Sequence, residues 1–291
     1  MTKGFLVVDK PGGITSNAVV GRVRKATGIK KVGHAGTLDP MATGAMVVAI
    51  GPVTRLIRFV QEQPKEYLAT AQFGVATDTL DADGAVLERE PMDFSEQELV
   101  EAAERFVGSI LQIPPMVSAL KHQGQRLYEL ARRGEVVERE ARPVEVYELE
   151  ILSVGPGPYP DVEFRVVCGK GTYVRSLAAD MASVLGGSAH LTALRRTRIG
   201  SLEVDVVGVA VDELEGWEES LLTPSQALCD LPAVTVGDDT AQGVSNGLRF
   251  LGGELVDAPD GVVRVLDGEG ELLAIYRSSG AQAVPEVVLA S

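Results

Sequence analysis

The chain has 291 residues, 45% of them hydrophobic and 23% charged, which excludes a mainly disordered polypeptide and allows about two domains around a sizeable core. Its formal net charge of −14 argues, taken whole, against a nucleic-acid partner. No apolar run reaches the roughly 18 residues of a membrane span, and the two cysteines, Cys168 and Cys229, exclude a disulfide framework and a Cys-rich zinc site.

In chain order, Gly4–Asp9 predicts a short buried strand. Asp9 and Lys10 stop its apolar run well short of a signal-peptide core, so a cytoplasmic protein is expected. Pro11-Gly12-Gly13 is a turn, and Ser16 is the N-cap of a helix over Asn17–Thr27 that Gly28 ends. Gly33–Gly44 is a loop, Ala45–Ile50 a central strand, Val53–Phe59 one or two helical turns, and Glu66–Phe73 a strand. Ser95 and Glu98 form a capping box opening a helix to about Phe106. Gln125–Arg133 is helical and ended by Gly134, Arg142–Ser153 and Asp161–Cys168 are strands, and a helix near Tyr173–Leu185 stops at Gly186-Gly187. Arg195, Arg196 and Arg198 alternate, as on a strand edge with one polar face. Beyond about residue 230 the segments become short and β-branched, with Val262–Leu266 and Glu271–Tyr276 forming a hairpin. Strands and helices interleave without a strict βαβ rhythm, so the fold class is α+β. The expected domains are 1–232 and a small β-rich 233–291.

The charge is unevenly spread. Residues 1–60 hold nine Lys/Arg and two acids, whereas residues 201–291 hold three basic and seventeen acidic residues. A basic N-terminal segment on an acidic chain fits polyanion binding on one face, although scattered cations also simply solvate a helix.

Common cofactor motifs are absent: the sequence has neither a GxxxxGK[ST] nor a GxSxG signature. His34, His122 and His190 stand at no metal-ligand spacing. Thr79–Gly84 with Glu90 nearly fits a calcium loop, but Thr79 stands where a carboxylate belongs, and an acidic turn is the simpler reading. The sharpest feature is Gly33–Gly44. Its one carboxylate, Asp39, precedes Pro40 and is held extended, while glycines let backbone approach a ligand. A lone Asp can act as nucleophile or base if a cation keeps it ionised. The candidates in glycine-rich settings are Arg55 and Arg175. The helix dipole disfavours a cation at the helix start where Arg175 lies, so it wants an acidic partner.

At this loop a family resemblance becomes specific. Asp9-Lys10-Pro11-x-Gly13-x-Thr15-Ser16, then Gly33-His34-Ala35-Gly36-Thr37-Leu38-Asp39-Pro40-x-Ala42-x-Gly44, resembles the TruB family of pseudouridine synthases. Lys65-Glu66-Tyr67, Thr77–Gly84, Pro114–Lys121, Leu127–Gly134 and Gly171–Leu177 agree in order, spanning most of residues 4–200; Val117 departs from a pattern that commonly has Tyr. The resemblance implies a mixed, largely antiparallel sheet flanked by helices, followed by a PUA-like RNA-binding domain, a looser match. It implies isomerisation of the T-loop uridine at tRNA position 55 by base flipping, without metal or organic cofactor. Carried over, Asp39 is the essential catalytic aspartate, Arg175 the arginine that pairs with it, and Tyr67 the tyrosine that stacks on uracil. His34 helps fill the space left by the flipped nucleotide, Leu194 lines the pocket, and Lys10 and Lys65 join the substrate-binding residues. The partner is the tRNA T-stem-loop, with no membrane, and the protein is expected to be a monomer. The alternative is a tRNA-binding and folding module whose catalysis is secondary; a calcium-binding hydrolase is a remote third.

Overall fold

The computed structural model describes residues 3–118, 120–122, 124–135 and 137–289. In chain order the elements are β1 (Gly4–Lys10), α1 (Ser16–Thr27), β2 (Val32–His34), β3 (Thr43–Ile50), α2 (Ile57–Glu62), β4 (Lys65–Phe73), β5 (Val75–Thr77), β6 (Val86–Arg89), α3 (Glu96–Glu104), β7 (Gly108–Gln112), β8 (Lys121–His122), β9 (Gln125–Arg126), α4 (Leu127–Arg132), β10 (Arg142–Val154), β11 (Asp161–Cys168), α5 (Val174–Val184), β12 (Ala189–Ile199), β13 (Leu202–Glu203), α6 (Val204–Val207), β14 (Gly208–Ala210), α7 (Pro224–Ala227), β15 (Ala233–Thr235), α8 (Asp238–Ser245), β16 (Gly261–Leu266), β17 (Leu272–Ser278) and β18 (Ala283–Val288). They divide into two compact units: 3–40, 44–63 and 198–289, and 41–43 with 64–197.

In the first unit β1 lies between β3, antiparallel, and β14, parallel, and β2 pairs with β3. Both faces of β1 are buried, which is why it reads as an unbroken apolar run. Phe5 and Val7 join Val47, Leu56 and Phe59 on one side; Leu6 and Val8 meet Val19, Val23, Met46 and Trp217 on the other. The helix α1 supplies the valines of that second core, and Gly28, left-handed at φ 69°, ends it. The expected N-cap needs correction. Thr15, not Ser16, caps the helix, its Oγ1 accepting from the Ala18 N–H at 3.1 Å. Ser16 is the first helical residue, and its hydroxyl is used elsewhere.

The C-terminal part of this unit is a sheet in the order β15-β16-β17-β18, with α8 supplying Val244 to its core beside Val263, Val265, Ala274 and Tyr276. The hairpin of β16 and β17 is the one expected, and Asp267 closes it by accepting from the Glu269 and Glu271 N–H groups. Leu272, Ile275, Val287 and Leu289 turn the other way and join the core of Phe5 and Val47. Arg264 ties the sheet to α7 and the turn after it by donating to the carbonyls of Ser225, Cys229 and Leu231.

In the second unit the strand order is β12-β4-β11-β10-β7, with β4/β11, β11/β10 and β10/β7 antiparallel. The amphipathic α3, opened by the Ser95–Glu98 capping box, packs on β10 and α5, and α5 packs on β4. The helix expected from Gln125 begins instead at Leu127, because Gln125–Arg126 pair with Lys121–His122. Ala119, within the matched Pro114–Lys121 segment, lies outside the described residues. Arg195–Arg198 lie on a strand, as expected, but Arg196 is buried, so the basic run is not a uniformly exposed edge. The short pair β5/β6 escapes sequence reading because all four residues of β6 are exposed and show no alternation.

Candidate active site

Asp39 sits in a stretch, 35–42, that belongs to neither a helix nor a strand. Its backbone is fixed by the β1–α1 connection instead. The Leu38 N–H donates to Ser16 Oγ at 2.9 Å, and the Ser16 hydroxyl donates to the Leu38 carbonyl at 3.0 Å. On the other side of Asp39, the Pro40 carbonyl accepts from the Gly13 N–H at 2.8 Å and from Lys10 Nζ at 3.0 Å. Lys10, fully buried, also donates to the Pro11 carbonyl, so these contacts hold the loop. His34 ends β2 half-buried, and its Nδ1 accepts from the Gly36 N–H at 3.3 Å, which puts the neutral ring's proton on Nε2.

In the second unit Tyr67 and Lys65 lie on β4, opposite Val166 and Cys168. Lys65 is buried and Tyr67 half-buried. Burial also pushes the Cys168 thiol up to about 11, which leaves it inert as a nucleophile. Arg175 is 2% exposed, at the second residue of α5. Nη1 donates to the Thr79 carbonyl at 2.8 Å and pairs with Asp81 Oδ2 at 3.0 Å; Nη2 donates to the Val117 carbonyl at 2.8 Å. Because that last contact is to backbone, it does not need the Tyr common at position 117. Asp81 is oriented by the Thr79 hydroxyl at 2.5 Å and the Asp83 N–H at 3.2 Å, and Leu80 between them takes φ 61°, a costly conformation for a branched residue. The turn that resembled a calcium loop is thus an arginine anchor. Among the described residues no His, Cys, Asp and Glu group has the arrangement of a metal site.

The approach to Arg175 is held as tightly. Gln112 Oε1 accepts from the Tyr173 N–H at 2.8 Å and its Nε2 donates to the Tyr173 carbonyl at 3.1 Å, while the Ser176 hydroxyl donates to the Ile113 carbonyl. Leu194, 8% exposed, lines a cleft of about 330 Å³ with Met41, Leu68, Leu152 and Thr192. Asp81, Gln112 and the Ser16 clamp are not among the site residues expected from sequence; for Asp81 the signal was the acidic Thr79–Gly84 turn.

The basic N-terminal segment is partly consumed by the fold. Arg55 donates to the Val288 carbonyl, Arg58 pairs with Glu286, Arg22 with Asp212, and Arg24 donates to the Val32 carbonyl. Lys3, Lys25, Lys30 and Lys31 are exposed and make no ion pair among the described residues. Near the site, Asp180 on α5 is half-buried, and burial pushes its carboxyl up to about 6. An acid with a raised folded-state pKa binds its proton more tightly folded than unfolded, so stability falls as pH rises from about 4 through 6. Asp180→Asn cannot ionise and should melt higher than the parent at about pH 8, the gap closing towards about pH 4; a pH-independent gap in thermal melts would refute this.

Residues 24–174 match the TruB family pseudouridylate synthase (N terminal domain). Over 287 residues the chain is 39% identical to tRNA pseudouridine synthase B of Saccharophagus degradans, covering 95% of this chain and 89% of that one. The enzyme of the same name from Moorella thermoacetica is 42% identical, covering 95% and 94%, and that of Thermobifida fusca 41% identical, covering 100% and 99%. Among solved structures, a Cbf5–Nop10–Gar1 complex contains a chain superposing with TM-score 0.76 at 27% identity, covering 98% of this chain and 84% of that one. An H/ACA RNP bound to a substrate RNA containing 2′-deoxyuridine gives TM-score 0.74 at 25% identity, covering 99% and 85%.

Proposed function

Because the chain belongs to the TruB family of pseudouridylate synthases, we propose that the uridine it isomerises is the T-loop uridine at tRNA position 55. It is a tRNA pseudouridine synthase, an isomerase. The observation that carries the reading is identity of about 40% to enzymes of that activity over nearly the whole chain.

The chemistry is a balanced rearrangement. The N1–C1′ bond breaks, the uracil turns, a C5–C1′ bond forms, C5 loses its proton and N1 gains one. The base must first leave the folded loop, which costs a few kcal/mol, and stacking on an aromatic face returns about 1–3 kcal/mol. In this reading Asp39 is the catalytic carboxylate, Arg175 the active-site arginine, and Tyr67 the stacking face. His34 fills the vacated space, Leu194 lines the pocket, and Lys10 and Lys65 support the substrate-binding elements. The buried, backbone-anchored setting of Arg175 and the rigid loop around Asp39 support roles that need fixed geometry.

Residues 233–291 are read as the PUA-like domain. Of its three arginines, Arg264 is committed to backbone carbonyls and Arg277 to Glu286, so its contact with RNA depends on shape more than phosphate charge. Phosphate contacts fall to the free lysines of the first unit. Lys30→Ala/Lys31→Ala should weaken tRNA binding and lower the slope of log K against log salt by about two, whereas Arg249→Ala should leave affinity within about threefold. The reverse pattern in filter binding would move the phosphate interface to the C-terminal sheet. We read the cytoplasm as the compartment that suits a tRNA substrate and the active form as a monomer, which sedimentation tests.

The deciding experiment maps pseudouridine on an unmodified tRNA transcript with no added metal. Modification at position 55 is expected. A bound but unmodified transcript would overturn the reading and favour a tRNA-folding module.

A further inference from the structure

We propose that Ser16 is a positioning residue for Asp39. The inference rests on the reading of Asp39 as the catalytic carboxylate. One hydroxyl satisfies both polar groups of the Leu38 backbone, accepting from its N–H at 2.9 Å and donating to its carbonyl at 3.0 Å. A serine hydroxyl has one donor and two acceptor sites, so both bonds are made at once. The Leu38 carbonyl belongs to the peptide plane that leads into Asp39, so holding its oxygen limits how that plane can rotate and where the Asp39 side chain starts.

Three features set this contact apart from an ordinary helix start. Thr15 already caps α1, so the Ser16 hydroxyl has no capping task. Ser16 and Leu38 are 4% and 3% exposed, so no water easily replaces the missing oxygen. The clamp is mounted on a rigid base, because Val19, Val20 and Val23 fix α1 in the core beside Leu6, Val8 and Met46. The loop itself, with Gly36 at φ 144°, has backbone freedom that such outside contacts reduce. Catalytic groups need placement within about 0.5 Å, and misplacement by about 1 Å can cost on the order of a hundredfold in rate.

The test compares Ser16→Ala, Ser16→Thr and Asp39→Asn by single-turnover pseudouridine formation on an unmodified tRNA transcript, with tRNA affinity and melting temperature measured alongside. Alanine is the better helix former, so α1 itself is not weakened. Ser16→Ala is expected to slow the single-turnover rate by about 10- to 100-fold while tRNA affinity stays within about threefold, and Ser16→Thr, which keeps the hydroxyl, to recover most of the rate. Should the alanine variant not fold, Ser16→Cys, similar in volume but poor at hydrogen bonding, takes its place with the same expected loss. A folded Ser16→Ala protein with a rate within twofold of the parent, or a loss seen wholly in affinity, would overturn the proposal. The parallel variant separates the two readings: an inactive Asp39→Asn with a fully active Ser16→Ala removes only this inference. An active Asp39→Asn removes the catalytic reading and this inference with it.

Discussion

Asp39→Asn is expected to lower the rate of pseudouridine formation by about a thousandfold or more while tRNA is still bound. Asparagine keeps the size of the side chain but can neither carry the charge nor act as nucleophile or base. The contacts that shape the loop run to the backbone of Leu38 and Pro40 and are indifferent to that change. A loss confined to the chemical step would therefore report the carboxylate and not a collapsed loop. Rate and binding falling together, in a protein that melts well below the parent, would mean that the side chain is structural. The same variant divides the two functional readings in cells. If catalysis is the protein's contribution, Asp39→Asn should behave as a deletion; if opening and reclosing tRNA is, fitness should survive the loss of pseudouridine.

Asp81→Ala should destabilise the protein by about 3–5 kcal/mol, because it removes a carboxylate paired with a buried guanidinium. Arg175 is 2% exposed, and Asp81 is the carboxylate shown 3.0 Å from its Nη1. The Thr79 and Val117 carbonyls, which also accept from Arg175, carry no charge. Adding Arg175→Met to Asp81→Ala should recover much of the stability, since removing both charges is far cheaper than removing one. Urea unfolding of the two single variants and the double variant measures this coupling. A cost below about 1 kcal/mol for Asp81→Ala alone would mean that water reaches the pair and screens it.

These effects show where sequence reading works and where it stops. The strand at Gly4, the helix ended by Gly28, the Ser95–Glu98 box and the hairpin closed by Asp267 are all encoded within a few residues, and all are present. The Asp39 loop is legible too, since its glycines, proline and lone carboxylate sit within one family-like run, Gly33–Gly44. The choice between Thr15 and Ser16 as cap was not legible, because both hydroxyls suit the position. What decides it is Leu38, 22 residues further on, which engages Ser16. The Thr79–Gly84 turn looked like a cation site because metal ions and guanidinium groups attract the same oxygens. Its actual cation, Arg175, stands far away in sequence. The basic segment shows the same limit: Arg55 and Arg58 meet β18, more than 200 residues later, which no local pattern announces.

By itself, then, the sequence determined the α+β class, most element positions, the reaction through its resemblance to a family, and Asp39 as the residue to watch. Those features rest on local propensity or on strings of residues readable without partners. The tertiary structure alone decided which oxygen each buried cation meets, which hydroxyl holds the Asp39 loop, and which lysines are left for solvent. Those choices are made by burial, which forces every polar group to find a partner wherever the chain brings one within about 3 Å, however distant it is in sequence.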